Sequence, residues 1–132
     1  MIEFLQELTK LLREINEETY YDRNRKKEVV YPYATFDFDS EPISRNQDGF
    51  YLDIDIFDLN SSYIRIIDLE DKFKDKLLFR RILMSNMYLR FSFLGSSKVP
   101  TNDENLKRRN VRLYIKIDWR DKHYGITKNE LH

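Results

Sequence analysis

Asp53, Asp55 and Asp58 are threaded through the apolar residues of YLDIDIFD (51–58), and FDFD (36–39) adds Asp37 and Asp39 just upstream. Carboxylates gathered from several strands can hold a pair of divalent cations, as a two-metal nuclease requires. Such an enzyme also needs a Lys, Glu or His placed for proton transfer. Asp37, Asp39, Asp53 and Asp55 could supply the ligands. Their spacing has a simpler source, because they alternate with apolar residues and so form the wet side of two strands. Arg90, Arg112 and Lys116 take the same outer side on later strands. Opposite charges on neighbouring strands are ordinary partners, worth about 0.2–1 kcal/mol a pair. The expectation is a polar, salt-bridged face with no metal, no cofactor and no catalytic residue. In it, Asp53 and Asp55 meet bases such as Arg112 and Lys116, within or between subunits.

Other chemistry is sparsely represented. The chain has no cysteine, which excludes disulfides, zinc-thiolate sites and thiol catalysis. Its histidines, His123 and His132, stand in the polar C-terminal stretch without the pattern of a triad or ligand set. Gly49, Gly95 and Gly125 are isolated, so no phosphate loop is present. Lys107, Arg108, Arg109 and Arg112 could touch phosphates. No aromatic residue interleaves the loop there, and acids precede it, which argues against sequence-specific nucleic-acid binding.

The 132 residues suit one domain, and 23 basic against 23 acidic residues give no bulk steering toward nucleic acid or anionic membranes. Nine Tyr and nine Phe are too many for a disordered chain. No apolar run has the ~18–20 residues of a membrane span. The acidic, mixed N-terminus does not read as a signal peptide. Synthesis in a cytoplasm and a soluble chain are expected.

The elements that must position these groups follow from periodicity. Phe4, Leu5, Leu8, Leu11, Leu12 and Ile15 make one helical stripe. YYDRNRKKE (20–28) reads as a polar connection. VVYPYATFDFD (29–39) reads as a strand with Ala34, Phe36 and Phe38 on one face, starting late or lying at an edge because of Pro32. SEPISRNQDG (40–49) reads as a loop. FYLDIDIFDL (50–59) sets Phe50, Leu52, Ile54 and Ile56 against Tyr51, Asp53, Asp55 and Phe57. SSYIRIIDLEDKFKDKLLF (61–79) is a second helix, capped by Ser61 or Ser62. MYLRFSFL (87–94) points Met87, Leu89, Phe91 and Phe93 inward. GSSKVPTNDENLKRRN (95–110) has no period and reads as a long loop, of a kind often functional. VRLYIKIDW (111–119) points Val111, Leu113, Ile115, Ile117 and Trp119 inward. The predicted fold is α+β: a single antiparallel sheet of about four strands with two helices on one face, in the order α-β-β-α-β-β. Residues 1–119 form the domain, and 120–132 a polar tail.

The open face carries Tyr33, Tyr51, Phe57, Tyr88 and Tyr114 among Asp and Arg residues, a composition enriched in interfaces. A sheet with such a face and unpaired edges can pack against copies of itself.

The pattern as a whole resembles the small tail terminator, or tail-completion, proteins of long-tailed bacteriophages and prophages. The resemblance is carried by the leading amphipathic helix, by YPYATFDFDS, by DGFYLDIDIFD running into the Ser-started helix, and by KVPTNDENLKRRNVRLYIKIDW. It covers residues 1–119. It implies a non-enzymatic ring, commonly of six subunits, on the end of a completed tail tube. The ring would stop tube growth and supply the surface that joins the head. The implied partners are further copies of the chain, the tail tube protein and a head connector or neck protein, with no membrane. The implied location is the head-proximal end of the virion tail, after synthesis in a host bacterium. On this reading Tyr33, Tyr51, Asp53, Asp55, Tyr88, Arg90, Arg112, Tyr114 and Lys116 form the subunit interface. Lys98, Asn102, Asp103, Lys107, Arg108 and Arg109 form a loop facing a partner or the ring lumen. The RRILMSNM segment departs from the pattern. A metal-dependent nuclease, a small partner-binding regulator, and another neck or minor tail protein are the alternatives.

Overall fold

A computed structural model of the chain describes residues 1–84 and 86–120. The elements run α1 (Ile2–Ile15), β1 (Thr19–Tyr21), β2 (Tyr33–Ser44), β3 (Gln47–Leu59), α2 (Ile64–Leu77), β4 (Arg81–Met84), β5 (Met87–Lys98) and β6 (Leu106–Trp119). The strands form one sheet in the order β1-β2-β3-β6-β5-β4. β1 pairs parallel with β2, and every other pairing is antiparallel. The expected four-stranded antiparallel sheet is therefore wrong. The sheet is six-stranded, mixed and curled into a half-barrel. β1 and β4 are too short, at three and four residues, to show a period.

Other strands run further than alternation suggests. Residues 40–49, expected as a loop, continue β2 and β3 to a tight turn at Arg45 and Asn46. Residues 95–110, expected as one long loop, are mostly ladder: β5 reaches Lys98 and β6 starts at Leu106. Few apolar side chains alternate in either segment, so no period marks an inner face there. Register shifts at Pro42/Ser44 and Phe93/Gly95 interrupt the ladders, and such bulges sharpen local twist and bend. Pro32 precedes β2, whose first residue is Tyr33, as its missing N–H requires.

The core lies between the sheet and the two helices. Phe36, Leu52, Ile54, Ile56, Leu89, Phe91, Val111, Leu113, Ile115 and Ile117 from the sheet meet Phe4, Leu8 and Leu12 of α1 and Ile66, Leu69, Phe73 and Leu77 of α2. Both helices thus bury their stripes on one face, as their periodicity predicts. The Phe4 ring stacks on Phe50 at 4.1 Å and meets Phe38 edge-on at 5.3 Å. α2 starts later than its serines suggest. Its N-cap is Tyr63, and the Ser62 hydroxyl accepts the Ile64 N–H instead. Phe93 is on the inner register opposite Leu113, yet it stays 42% exposed, with the Lys74 ammonium over its ring. The polar tail expected over 120–132, with His123 and His132, lies outside the described residues from 121 onward.

Charged groups break the apolar pattern of the inner face. Asp58 continues the Phe50–Ile56 alternation and is fully buried, with Arg65 Nε 3.3 Å from its carboxylate. Arg65 also donates to the Tyr31 carbonyl, tying α2 to the segment that enters β2. Glu70 shares the α2 stripe with Ile66 and Phe73, and Arg109 shares the β6 alternation with Val111. Glu70 accepts from Arg109 Nε and from Lys74 Nζ, the latter at 3.0 Å. A guanidinium nitrogen of Arg109 then donates to Ser96 Oγ at 3.0 Å. This network clamps α2 to β5 and β6 where the apolar core ends.

Candidate functional site

The outer face is built by strand alternation and read most simply across the ladder. One row runs Thr35, Asp55, Asn110, Ser97; the next runs Asp37, Asp53, Arg112, Gly95. Asp39, Tyr51, Tyr114 and Ser92 follow, then Glu41, Gly49, Lys116, Arg90 and Arg81. Acids therefore crowd β2 and β3, and bases crowd β6, β5 and β4.

Where the two halves meet, the charges neutralise within the chain. Arg112 Nε donates to Asp53 at 3.0 Å, and Arg108 Nε to Asp55 at 3.3 Å. Asn110 donates to both carboxylates. Arg112 is 62% exposed, so its pair adds under about 1 kcal/mol. Lys116 stands opposite Gly49 rather than opposite Asp53 or Asp55. Of the four carboxylates considered as metal ligands, Asp37 faces Asp53, and Asn110 joins Asp53 to Asp55. No group of three or more metal-ligating side chains occurs among the described residues.

The aromatic residues expected on this face form two clusters. Tyr33 stacks on Phe57 at 4.7 Å, with the Arg108 guanidinium 5.2 Å from the Phe57 ring. Tyr51 meets Tyr114 edge-on at 5.0 Å. Burial, then the hydrogen bond it donates to the Glu41 carboxylate, raise the Tyr114 pKa. Tyr88 stands apart near the other edge, between the guanidinium groups of Arg81 and Arg120.

Gly49 makes room for the Tyr114 ring. A β-carbon there would fall 1.9 Å from the phenol oxygen. Gly49→Ala is expected to lose about 1 kcal/mol, because displacing Tyr114 breaks its bond to Glu41. In a Tyr114→Ser background the same change should be neutral or slightly stabilising, since alanine restricts the unfolded chain. Urea unfolding of the four proteins checks this, and equal costs in both backgrounds would refute it.

The expected loop residues are divided by the structure. Lys98, Lys107, Arg108 and Arg109 belong to strands, contrary to the loop reading, and the connection is only residues 99–105. Lys98 and Lys107 hold their ammonium groups 4.8 Å and 5.4 Å from the Tyr63 ring. Arg109 is occupied by Glu70. Asn102 and Asp103 are exposed in the connection, where Asp103 accepts the Asn105 N–H. Thr101 donates to the Leu106 carbonyl, so the turn is internally bonded.

A feature that periodicity did not reveal lies at the β4 edge. A groove of about 660 Å³ is lined by Leu78, Phe91 and Phe93, with Arg80, Arg81 and Arg90 at its rim. Phe79 stands at its lip, 99% exposed, with a left-handed backbone at φ 61°. A bulky residue rarely adopts that conformation. The sequence sign was the RRILMSNM segment, which departs from the family pattern.

No protein-family model and no curated protein matches the sequence. Among solved structures, the fold is similar to that of a chain in "Virion of native gene transfer agent (GTA) particle". The TM-score is 0.67 at 12% identity, over 81% of this chain and 84% of that one. At that identity the likeness is one of fold, and function must be argued from the surface.

Proposed function

We propose that the chain is a structural component of a phage-related virion, and within that class a tail terminator or tail-completion protein. The observation that carries the reading is the shared fold with a chain of a virion particle over most of both chains. The polarised outer face, rich in Tyr, Asp and Arg, supports assembly as the mode of action. Residues 1–119 act as one domain, which closes with copies of itself, commonly six, into a ring on the tail tube. The ring stops tube growth and offers the head connector or neck protein its joining surface, at the head-proximal end of the tail. No catalytic step is involved.

In this role Tyr33, Tyr51, Asp53, Asp55, Tyr88, Arg90, Arg112, Tyr114 and Lys116 supply the subunit interface. Asn102 and Asp103, with Lys98, Lys107 and Arg108 beside them, face the tube, the connector or the lumen. Arg109 supports that end of the sheet from inside. Sedimentation velocity over a concentration series, with and without Mg²⁺, tests the reading. A discrete closed oligomer near six subunits is expected. A monomer at every concentration would count against ring formation.

A further inference from the structure

The outer face separates charge between its two edges. Among the described residues no ion pair involves Asp37, Asp39 or Glu41 at the β2 edge. The same holds for Lys116, Arg90, Arg81 and Arg80 toward the β4 edge. Lys116, Arg90 and Arg81 are direct cross-strand neighbours, and Asp37 faces Asp53. Like charges directly opposite destabilise a sheet. Each edge of the outer face therefore holds like charges side by side, although the chain as a whole has 23 bases and 23 acids. The field that would neutralise either edge is found on the other.

The groove at the basic edge narrows the choice of occupant. An arginine rim alone would suit a phosphate, but a phosphate would leave Phe93, 42% exposed, and the fully exposed Phe79 in water. A segment carrying both carboxylates and apolar side chains satisfies rim and floor together. The β2 edge offers the carboxylates of Asp37, Asp39 and Glu41 with Ile43 exposed beyond them, while Phe36 and Phe38 stay in the core.

The β2 edge is also shaped for side-chain contact rather than for extending the sheet. Ala34 N–H and Phe36 C=O bond toward the β1 side, so Phe38, Ser40 and Pro42 turn their backbone groups to the open edge beyond β1. Asp37 takes the Phe38 N–H onto its own carboxylate, and Pro42 has none to offer. These features discourage ladder formation.

Resting on the self-association reading, we infer that the groove at the β4 edge receives the acidic β2 edge of a second copy. Arg81 and Arg90, supported by Arg80, meet Asp37 and Asp39 of the incoming copy, and Phe79 covers the apolar seam. The contact is heterologous. A two-fold axis through the groove would set arginine on arginine, whereas head-to-tail joining pairs opposite fields and closes into a ring when the rotation permits.

The test uses two variants of the full chain, Arg81→Glu/Arg90→Glu and Asp37→Lys/Asp39→Lys, in sedimentation velocity at low salt. Each alone is expected to need about tenfold or more higher concentration to assemble, because like edges then meet. An equimolar mixture is expected to recover assembly, since each reversed edge finds its complement on the other variant. Phe79→Asn, which keeps a left-handed backbone accessible, should weaken assembly without lowering the unfolding midpoint. If wild type assembles and both charge variants assemble equally well, the inference is wrong while self-association stands. If the mixture fails to recover, the head-to-tail pairing is wrong. If wild type itself never assembles, the self-association reading fails and takes the inference with it.

Discussion

Arg109→Met is expected to destabilise the fold by about 3 kcal/mol, the lower end of what removing one partner from a buried ion pair costs. The lower end applies because the Arg109 side chain retains 23% exposure, while that of Glu70 retains 5%. Without Arg109, Glu70 keeps Lys74, whose own side chain is 27% exposed, and the Ser96 hydroxyl. The double variant Arg109→Met/Glu70→Leu should recover much of the loss, because no buried charge is then left unpaired. Equilibrium urea unfolding of both variants measures this. A cost below about 1 kcal/mol for the single change would mean that water already serves Glu70.

The same network sets a pH dependence. Burial pushes the Glu70 carboxyl up, but the hydrogen bonds from Arg109, Lys74 and Ser96 and the charge of Arg109 outweigh it. Its pKa is held below the ordinary glutamate value. A carboxylate with a lowered folded pKa adds stability that is fully present above its unfolded pKa. That stability is lost as pH falls through the folded one. Stability should therefore decline on acidification below about pH 4, with less decline in Glu70→Gln. An identical acid limb in the variant would show that other carboxylates carry the effect.

Phe4→Ala is expected to cost about 3–5 kcal/mol, the range for removing a fully buried aromatic side chain. Phe4 is 0% exposed and stands between Phe38 and Phe50, so its loss opens a cavity between α1 and the β2–β3 pair. Leu5 of the same turn is only partly buried. Ile2 is 71% exposed, and Ile2→Ala should change stability by less than about 0.5 kcal/mol. Thermal unfolding of the two variants makes the comparison. Similar shifts for both would mean that α1 does not dock as described.

Legibility in the sequence follows the range of the interaction. The stripe of α1, the α2 stripe from Ile66 to Leu77 and the inward alternations of β3 and β6 all follow from side-chain direction within one element. So does the outer placement of Asp53, Asp55, Arg112 and Tyr114. The inner charges were equally open to reading. Asp58, Glu70 and Arg109 fall at apolar periods, which marks a charged residue as buried and in need of a partner. The identity of that partner was not legible, because Glu70 and Arg109 are 39 residues apart and meet only when α2 lies on the sheet.

Sequence alone thus determines the two helices, the strand faces, the aromatic and charged outer surface and the absence of cysteine chemistry. Tertiary structure decides the six-stranded order, the parallel β1, the reach of the ladders through residues 40–49 and 95–110, and the curl. It also decides which charges cancel and which remain at an edge. Asp53 finds Arg112 across 59 residues, while Asp37, on the same acidic side, finds another acid. The difference lies in strand order. Cross-strand partners are chosen by neighbours distant in the chain, and no period within a strand records which neighbour that will be.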